Sequence, residues 1–343
     1  MQQRILGKTG LAVGVIGLGT EHLQTDRDTA DDVLASAAEA GANYIDLLYC
    51  HPRTRHQAFW EAFGPALTPR RDAFVLAAHW GDPGPGDIAE CRQAFSDTLP
   101  LLGGYADIAM IDVVEEWGDW VRRSLERLEG FRARGEVGFI GLSTHTPDVA
   151  LAAAEAGAVQ VIMYAIHMLS HYDPAVAPIL EACSRHNVGL VAMKPYYGGR
   201  ILTRNDGAAP VTPVQCLSYV LSRPVTTTVP GPATAEQWRQ ALAYVTATEA
   251  EKQFACVLPR LREAFRGACT YCGHCMPCPL GLQISHVMLC ADQGDDVSED
   301  FRSFYEALPV KASACTECGA CMERCPFEVD VIAAMRRVVE LYE

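Results

Sequence analysis

Gly138-Phe-Ile-Gly-Leu-Ser143 is followed by Thr146-Pro-Asp-Val-Ala-Leu-Ala-Ala-Ala-Glu-Ala156 and then by Val159-Gln-Val-Ile-Met-Tyr-Ala165. The first and third stretches are short apolar runs of strand length, and the second has helical periodicity. The same alternation runs outward in both directions between residues 12 and 231. The further apolar runs are Val13–Gly19, Asn43–Tyr49, Phe74–His79, Ala106–Val114, Gly189–Lys194 and Thr226–Pro230. Helical periodicity separates them, for example at Thr29–Ala40, Ala89–Leu102, Trp117–Arg134 and Val176–Asn187. Strands that alternate with helices in this way read as an α/β chain folded as a (β/α)8 TIM barrel. Gly17-Leu-Gly-Thr20 lacks the spacing of a dinucleotide fingerprint and reads as a tight turn at a strand end.

The C-terminal part has a different composition. Cys269-Thr-Tyr-Cys272-Gly-His-Cys275-Met-Pro-Cys278-Pro279 and Cys315-Thr-Glu-Cys318-Gly-Ala-Cys321-Met-Glu-Arg-Cys325-Pro326 hold eight of the 14 cysteines. A C-x2-C-x2-C run closed by Cys-Pro is how thiolates wrap a [4Fe–4S] cubane, and the last cysteine often serves the other cluster. The crossed assignment puts Cys269, Cys272, Cys275 and Cys325 on one cluster, and Cys315, Cys318, Cys321 and Cys278 on the other. Zinc also takes C-x2-C, but as separated pairs. Ile284–Gln293, Glu299–Leu308 and Val329–Tyr342 have helical periodicity, so a small helical ferredoxin-like domain with two clusters is expected. The expected organisation is a barrel over 1–255, a linker helix over 256–267, drawn from a helical reading of 247–267, and the cluster domain over 268–343. No internal repeat is evident.

No apolar run approaches the ~20 residues of a membrane span, and Met-Gln-Gln-Arg-Ile-Leu-Gly at the start lacks a signal-peptide core. A cytoplasmic location is therefore expected, where cysteines stay reduced. The other six cysteines (Cys50, Cys91, Cys183, Cys216, Cys256, Cys290) then read mostly as small buried apolar residues. The net charge of −14 argues against nucleic acid and anionic membranes as partners.

Arg4-Ile-Leu-Gly-Lys-Thr-Gly-Leu11 with Val15-Ile-Gly-Leu-Gly-Thr20, Gly41-Ala-Asn-Tyr-Ile-Asp46, Ile140-Gly-Leu-Ser-Thr144 and Met193-Lys-Pro-Tyr-Tyr-Gly-Gly-Arg200 resemble aldo-keto reductases along the whole barrel. The cysteine region is similar to a branch of that superfamily with a C-terminal pair of [4Fe–4S] motifs. The resemblance implies a site at the C-terminal ends of the strands and a catalytic set of Asp, Tyr, Lys and His. Asp46 matches the aspartate. His51 stands where tyrosine is expected, with Tyr49 two residues earlier. His79 replaces the lysine, and Asp112 replaces the histidine. Thr20, Ser143, Gln160 and Lys194 fall at positions given to the cofactor. The loop after the eighth strand, Gly231-Pro-Ala-Thr-Ala-Glu-Gln-Trp-Arg-Gln240, lacks the family's cation for the 2′-phosphate and its Glu-Asn pair. Tight NADPH binding is therefore not expected.

Histidines and acids recur at the strand ends: His22, Asp46, His51, His79, Asp112, Glu115, Glu116, His145, His167 and His171, with Lys194 at strand seven. They serve either acid–base chemistry or an additional metal (Fe, Zn or Mn) held by Asp46, His51 and His79, a 2-His-1-carboxylate set. Ordinary rim residues are the third possibility. The leading expectation is an iron–sulfur oxidoreductase acting on a small polar substrate at the barrel mouth. Electrons would be exchanged with an external ferredoxin or flavoprotein, and His51 or His79 would move the proton while Asp46 orients it. The alternatives are an NADPH-dependent carbonyl reductase with accessory clusters, a metal-dependent lyase or hydrolase, and an electron-transfer subunit with a non-catalytic barrel.

Overall fold

In a computed structural model the chain forms two compact units, Met1–Val257 and Leu258–Glu343. The structure describes residues 1–48, 56–81, 87–112, 116–203, 209–295 and 297–343, with the side chain of Asp300 set aside.

The first unit begins with an antiparallel hairpin, β1 (Gln3–Ile5) and β2 (Ala12–Gly14). Eight parallel strands follow: β3 (Leu18–Gly19), β4 (Tyr44–Leu47), β5 (Val75–Trp80), β6 (Ala106–Ile111), β7 (Val137–Thr144), β8 (Val161–Ala165), β9 (Gly189–Met193) and β10 (Thr227–Val229). They neighbour one another in chain order. Backbone hydrogen bonds join the ends of the sheet, from Gly17 N–H to Thr228 O (2.8 Å), Thr228 N–H to Val15 O (3.0 Å) and Gly19 N–H to Pro230 O (2.9 Å). This is the expected barrel. The apolar run Val13–Gly19 is not one strand, however. Its first part pairs with Gln3–Ile5, Leu18–Gly19 pairs with β4, and Ile16 between them bridges Thr228 at the closure. Below it, Leu6 is fully buried in the barrel core, and a Cβ on Gly189 would lie 2.7 Å from its side chain.

Alternation along the strands decides what fills the interior. Tyr44, Val75, Ala77, Ile108, Met110, Val161, Met163, Val191, Met193 and Val229 form one buried cluster. Gly141 leaves room for Met110, whose sulfur would lie 2.2 Å from a Cβ there. Continuing the inward series by two brings Asp46, His79, Asp112 and Ser143 to the layer above. The outward series meets the helices. Trp80 is fully buried, packs its ring 5.8 Å from Phe95 and 6.1 Å from Phe131, and donates its indole N–H to Ser124 Oγ at 3.1 Å. Helix Arg27–Ala40 begins with Asp26 accepting from Thr29 N–H and ends at Gly41 with φ +74°, the left-handed stop that glycine permits.

In the second unit the described residues form helices and no strands: Val257–Ala264, Ile284–Ala291, Glu299–Ala307, Ala320–Glu323 and Val331–Tyr342. The helix expected over 247–267 is confined to Val257–Ala264, because Thr248 and Glu251 bond each other's backbone N–H and side chains into a local turn. Lys311 closes the end of helix Glu299–Ala307 by donating to the carbonyls of Tyr305, Glu306 and Leu308 at 2.7–2.9 Å. Cys91, Cys183, Cys216 and Cys290 are buried, whereas Cys256 is exposed and Cys50 lies outside the described residues. Among the described residues, no helix is long and apolar enough to cross a membrane.

Phe95 is 1% exposed and lies 5.2 Å from Phe131, centroid to centroid. Its truncation would leave a void behind the strand that carries His79. Phe95→Ala is expected to cost about 3–5 kcal/mol in urea denaturation followed by tryptophan fluorescence.

Candidate functional site

Three neighbouring strands bring a linear array together at the open end of the barrel. His79, the fifth residue of β5, is 2% exposed. Its Nε2 lies 2.9 Å from Asp46 Oδ1, and its Nδ1 lies 2.8 Å from Asp112 Oδ1. Burial opposes charge on the ring, but the two carboxylates outweigh it through their charge and hydrogen bonds, and the imidazole pKa is raised well above its ordinary value. His79 is therefore an imidazolium that donates from both nitrogens. Asp112 Oδ2 is buried and accepts no hydrogen bond from the described residues.

A cavity of about 470 Å3 opens above this array. Its wall includes Asp46, His79, Asp112, Ser143, His145 and Lys194, together with His22, Glu21, Tyr196, Gln237 and Gln240. Ser143 is 3% exposed at the end of β7. His145 and Lys194 are exposed at the rim, and Lys194 is held at φ +54°, in the left-handed region. Non-glycine residues held there are strained and concentrate at functional loops.

Other expected site residues lie elsewhere. Gln160 precedes β8, at the closed end of the barrel, and its Oε1 accepts from Ile140 N–H at 2.9 Å. Met163 occupies the cavity wall in that strand. The Gln160 side chain therefore cannot hold a carboxamide beside Ser143. Thr20 is fully buried and donates its hydroxyl to Asp46 O at 2.9 Å, so it ties two strand ends together rather than facing the cavity. His167 packs its ring 4.7 Å from Tyr197. Burial, with a smaller contribution from Lys194, lowers its pKa to about 3. His171 packs against Tyr172 and Tyr219. Glu116 is exposed and off the cavity wall. His51, Tyr49 and Glu115 lie outside the described residues. Of the expected Asp46/His51/His79 metal set, Asp46 and His79 lie together, 2.9 Å apart, and His51 is outside the described residues. Among the described residues, no group of three or more His, Cys, Asp or Glu is arranged to hold one ion.

The cysteines of the second unit line two separate cavities. Cys269, Cys272, Cys275 and Cys325 surround one with Met288, Phe327 and Val329. Cys278, Cys315, Cys318 and Cys321 surround the other with Leu282, Ile284 and Met335. The two motifs share a backbone design that composition did not reveal. Tyr271 and Glu317, the residues before the second cysteine of each run, sit at φ +54° and +56°. Each donates its N–H to the first cysteine sulfur at 3.4 Å. Gly273 and Gly319 follow, both at φ +79°. Gly281 and Glu328, three residues after Cys278 and Cys325, are also left-handed. Burial pushes Cys269 and Cys275 up to about 12. For Cys272 burial acts the same way but is outweighed by the neighbouring His274, which lowers its value.

The family model for aldo/keto reductases matches residues 10–215, more than half of the chain. The chain belongs to the aldo/keto reductase family. "Uncharacterized oxidoreductase YqkF" of Bacillus subtilis (strain 168) is 26% identical over 211 residues, covering 58% of this chain. The chain spans 66% of that relative, just under two thirds of its length. The barrel is similar to aldo-keto reductase AKR11C1 from Bacillus halodurans in its holo form, with a TM-score of 0.62 at 22% identity over 75% of this chain and 96% of that one. It is also similar to PA4992, a putative aldo-keto reductase from Pseudomonas aeruginosa, with a TM-score of 0.55 at 23% identity over 71% and 96%. These structures establish the fold. The matched segment ends before the first cysteine motif.

The two buried histidines should titrate in opposite directions. His79 is raised, so its stabilising contribution is complete below 6.5, the ordinary value, and is lost as pH rises through the native value above it. His167 is lowered, so the unfolded chain takes up a proton that the folded ring refuses, and stability falls between pH 6.5 and about 3. Nitrogen-15 NMR of labelled histidines should find His79 doubly protonated at pH 7.5 and His167 neutral at pH 5. A neutral His79 at pH 7.5 would contradict the array.

Proposed function

We propose that this chain is a nicotinamide-dependent carbonyl reductase whose proton chemistry is organised by the Asp46–His79–Asp112 array. The observation that carries this reading is the array itself, charged and buried at the end of a cavity in an aldo/keto reductase barrel. The family membership of the barrel supports nicotinamide chemistry over the expectation that electrons reach the substrate through iron–sulfur clusters from an external ferredoxin or flavoprotein.

A nicotinamide dinucleotide, when bound, supplies the hydride. The buried Ser143 hydroxyl would hold its carboxamide end without help from Gln160. Lys194, the one Lys or Arg on the described cavity wall, would meet its anionic tail. Reduction of a carbonyl also requires a proton at the oxygen. His79 stores it, but both its ring nitrogens are engaged by carboxylates, so it acts as a charged positioning group rather than touching the substrate. Asp46 shares the His79 Nε2 proton and lies on the cavity wall, so a proton can pass between them. Among the described residues, His145 at the rim is the candidate for the acid that meets the substrate oxygen; His51 and Tyr49, the candidates from sequence, lie outside the described residues. Enclosure by Met163, Met193 and Val229 excludes water and strengthens these interactions.

For the second unit we propose two [4Fe–4S] clusters with crossed ligation, on Cys269/Cys272/Cys275/Cys325 and Cys315/Cys318/Cys321/Cys278. What supports it is that the two cysteine-lined cavities have these eight residues on their walls in that same grouping, around loops of matching backbone. The gathering of four cysteines around each of two cavities, in C-x2-C-x2-C runs rather than separated pairs, favours clusters. They are accessory to the carbonyl chemistry in this reading.

NADPH or NADH should quench tryptophan fluorescence saturably and be oxidised by a carbonyl panel. His79→Gln is expected to lower kcat/KM about 100-fold or more while the quench persists. Binding of neither nucleotide by folded protein sinks the nicotinamide reading. Separately, anaerobic protein should carry about eight iron and eight sulfide, and Cys325→Ser should disturb only the cluster nearest the first motif. A content of about two zinc and little iron would overturn the clusters.

A further inference from the structure

Asp112 holds an unanswered hydrogen-bonding demand. It is 1% exposed and lies on the cavity wall. Its Oδ1 is engaged by His79 at 2.8 Å, whereas its Oδ2 has no partner among the described residues. A buried carboxylate oxygen without a donor is costly, by an amount comparable to a lost charge-assisted hydrogen bond. The array as a whole sharpens the demand, because two carboxylates against one imidazolium leave one net negative charge. An anionic oxygen cannot donate to a carbonyl. It can only accept.

We propose that Asp112 Oδ2 docks a hydrogen-bond donor of the substrate. The enzyme would then take carbonyl compounds that carry a hydroxyl or a protonated amine close to the carbonyl, in preference to simple aldehydes and ketones. A ligand that brings its own O–H or N–H to Oδ2 supplies the donor it lacks, whereas a ligand presenting a methyl group there leaves the oxygen unpaired and gains nothing. A site built to pair a polar group discriminates strongly against an analogue that lacks it. Lys194 does not serve the same purpose, since an ammonium only donates, and Ser143 is committed to the carboxamide in the carbonyl reading.

The inference rests on the carbonyl reading for the identity of the substrate, but its test does not require turnover. Acetone, hydroxyacetone and aminoacetone differ only at the group offered to Asp112. Their dissociation constants can be measured by ligand-observed NMR on the full chain without nicotinamide. Hydroxyacetone, aminoacetone or both should bind about 10- to 100-fold more tightly than acetone. The tighter of the two tells whether a neutral or a cationic donor is preferred. Asp112→Asn, which keeps the shape and removes the charge, should shrink the contrast at least tenfold. Equal binding of the three ketones by the unaltered protein would overturn the proposal, whether or not the variant folds. So would a contrast that survives intact in Asp112→Asn. A contrast without any nicotinamide-dependent turnover would leave this docking point standing and remove the reductase reading instead.

Discussion

A charged imidazole between two carboxylates has no stable place in a protein interior unless all three groups arrive together. Burying one ion costs several kcal/mol, and removing one partner from a buried pair costs about 3–5 kcal/mol because the other is left uncompensated. The end of the barrel is built to satisfy that condition. Asp46, His79 and the segment leaving β6 at Asp112 come from adjacent strands, and Asp112 N–H is itself bound to Trp80 O at 3.0 Å. The register of three strands therefore sets the two N···O distances. Trp80, one residue beyond His79, turns to the opposite face and is clamped by Phe95 and Phe131. Packing outside the barrel thus holds the chemistry inside it.

The barrel was legible because its strands are short, apolar and separated by amphipathic helices, a pattern that needs no long-range information. Asp46, His79 and Asp112 were legible for the same reason: each ends a strand run, and alternation turns all three inward. Their mutual bonding was not, because sequence spacing does not reveal which inward-facing ends share a layer. Gln160 shows the failure in reverse. It stands in a suitable sequence context, but it lies at the start of its strand beside Ile140, whereas Met163 is the residue paired with Ser143. His167 was misplaced by the same blindness, since a histidine just after a strand can turn under the following loop instead of into the cavity. The division of Val13–Gly19 between a hairpin and the barrel depended on Gln3–Ile5, which carries no alternating apolar signal.

In the second unit the cysteine spacing was plain, but the likeness of the two halves was not. The residues in matching left-handed positions are Tyr271 and Glu317, or Gly281 and Glu328, pairs with little chemistry in common. What they share is a backbone direction that points an N–H at a sulfur, and residue identity reports such a constraint poorly unless glycine is used each time.

The crossing of the cysteines has a consequence for biosynthesis. The wall around Cys269, Cys272 and Cys275 is completed by Cys325, and the ribosome adds Cys325 only after every cysteine of the second run. The second cavity, by contrast, already has Cys278 waiting when Cys321 emerges. The later motif is thus the first to own its full set of sulfurs, and the order of completion along the growing chain is the reverse of the order in which the motifs are written.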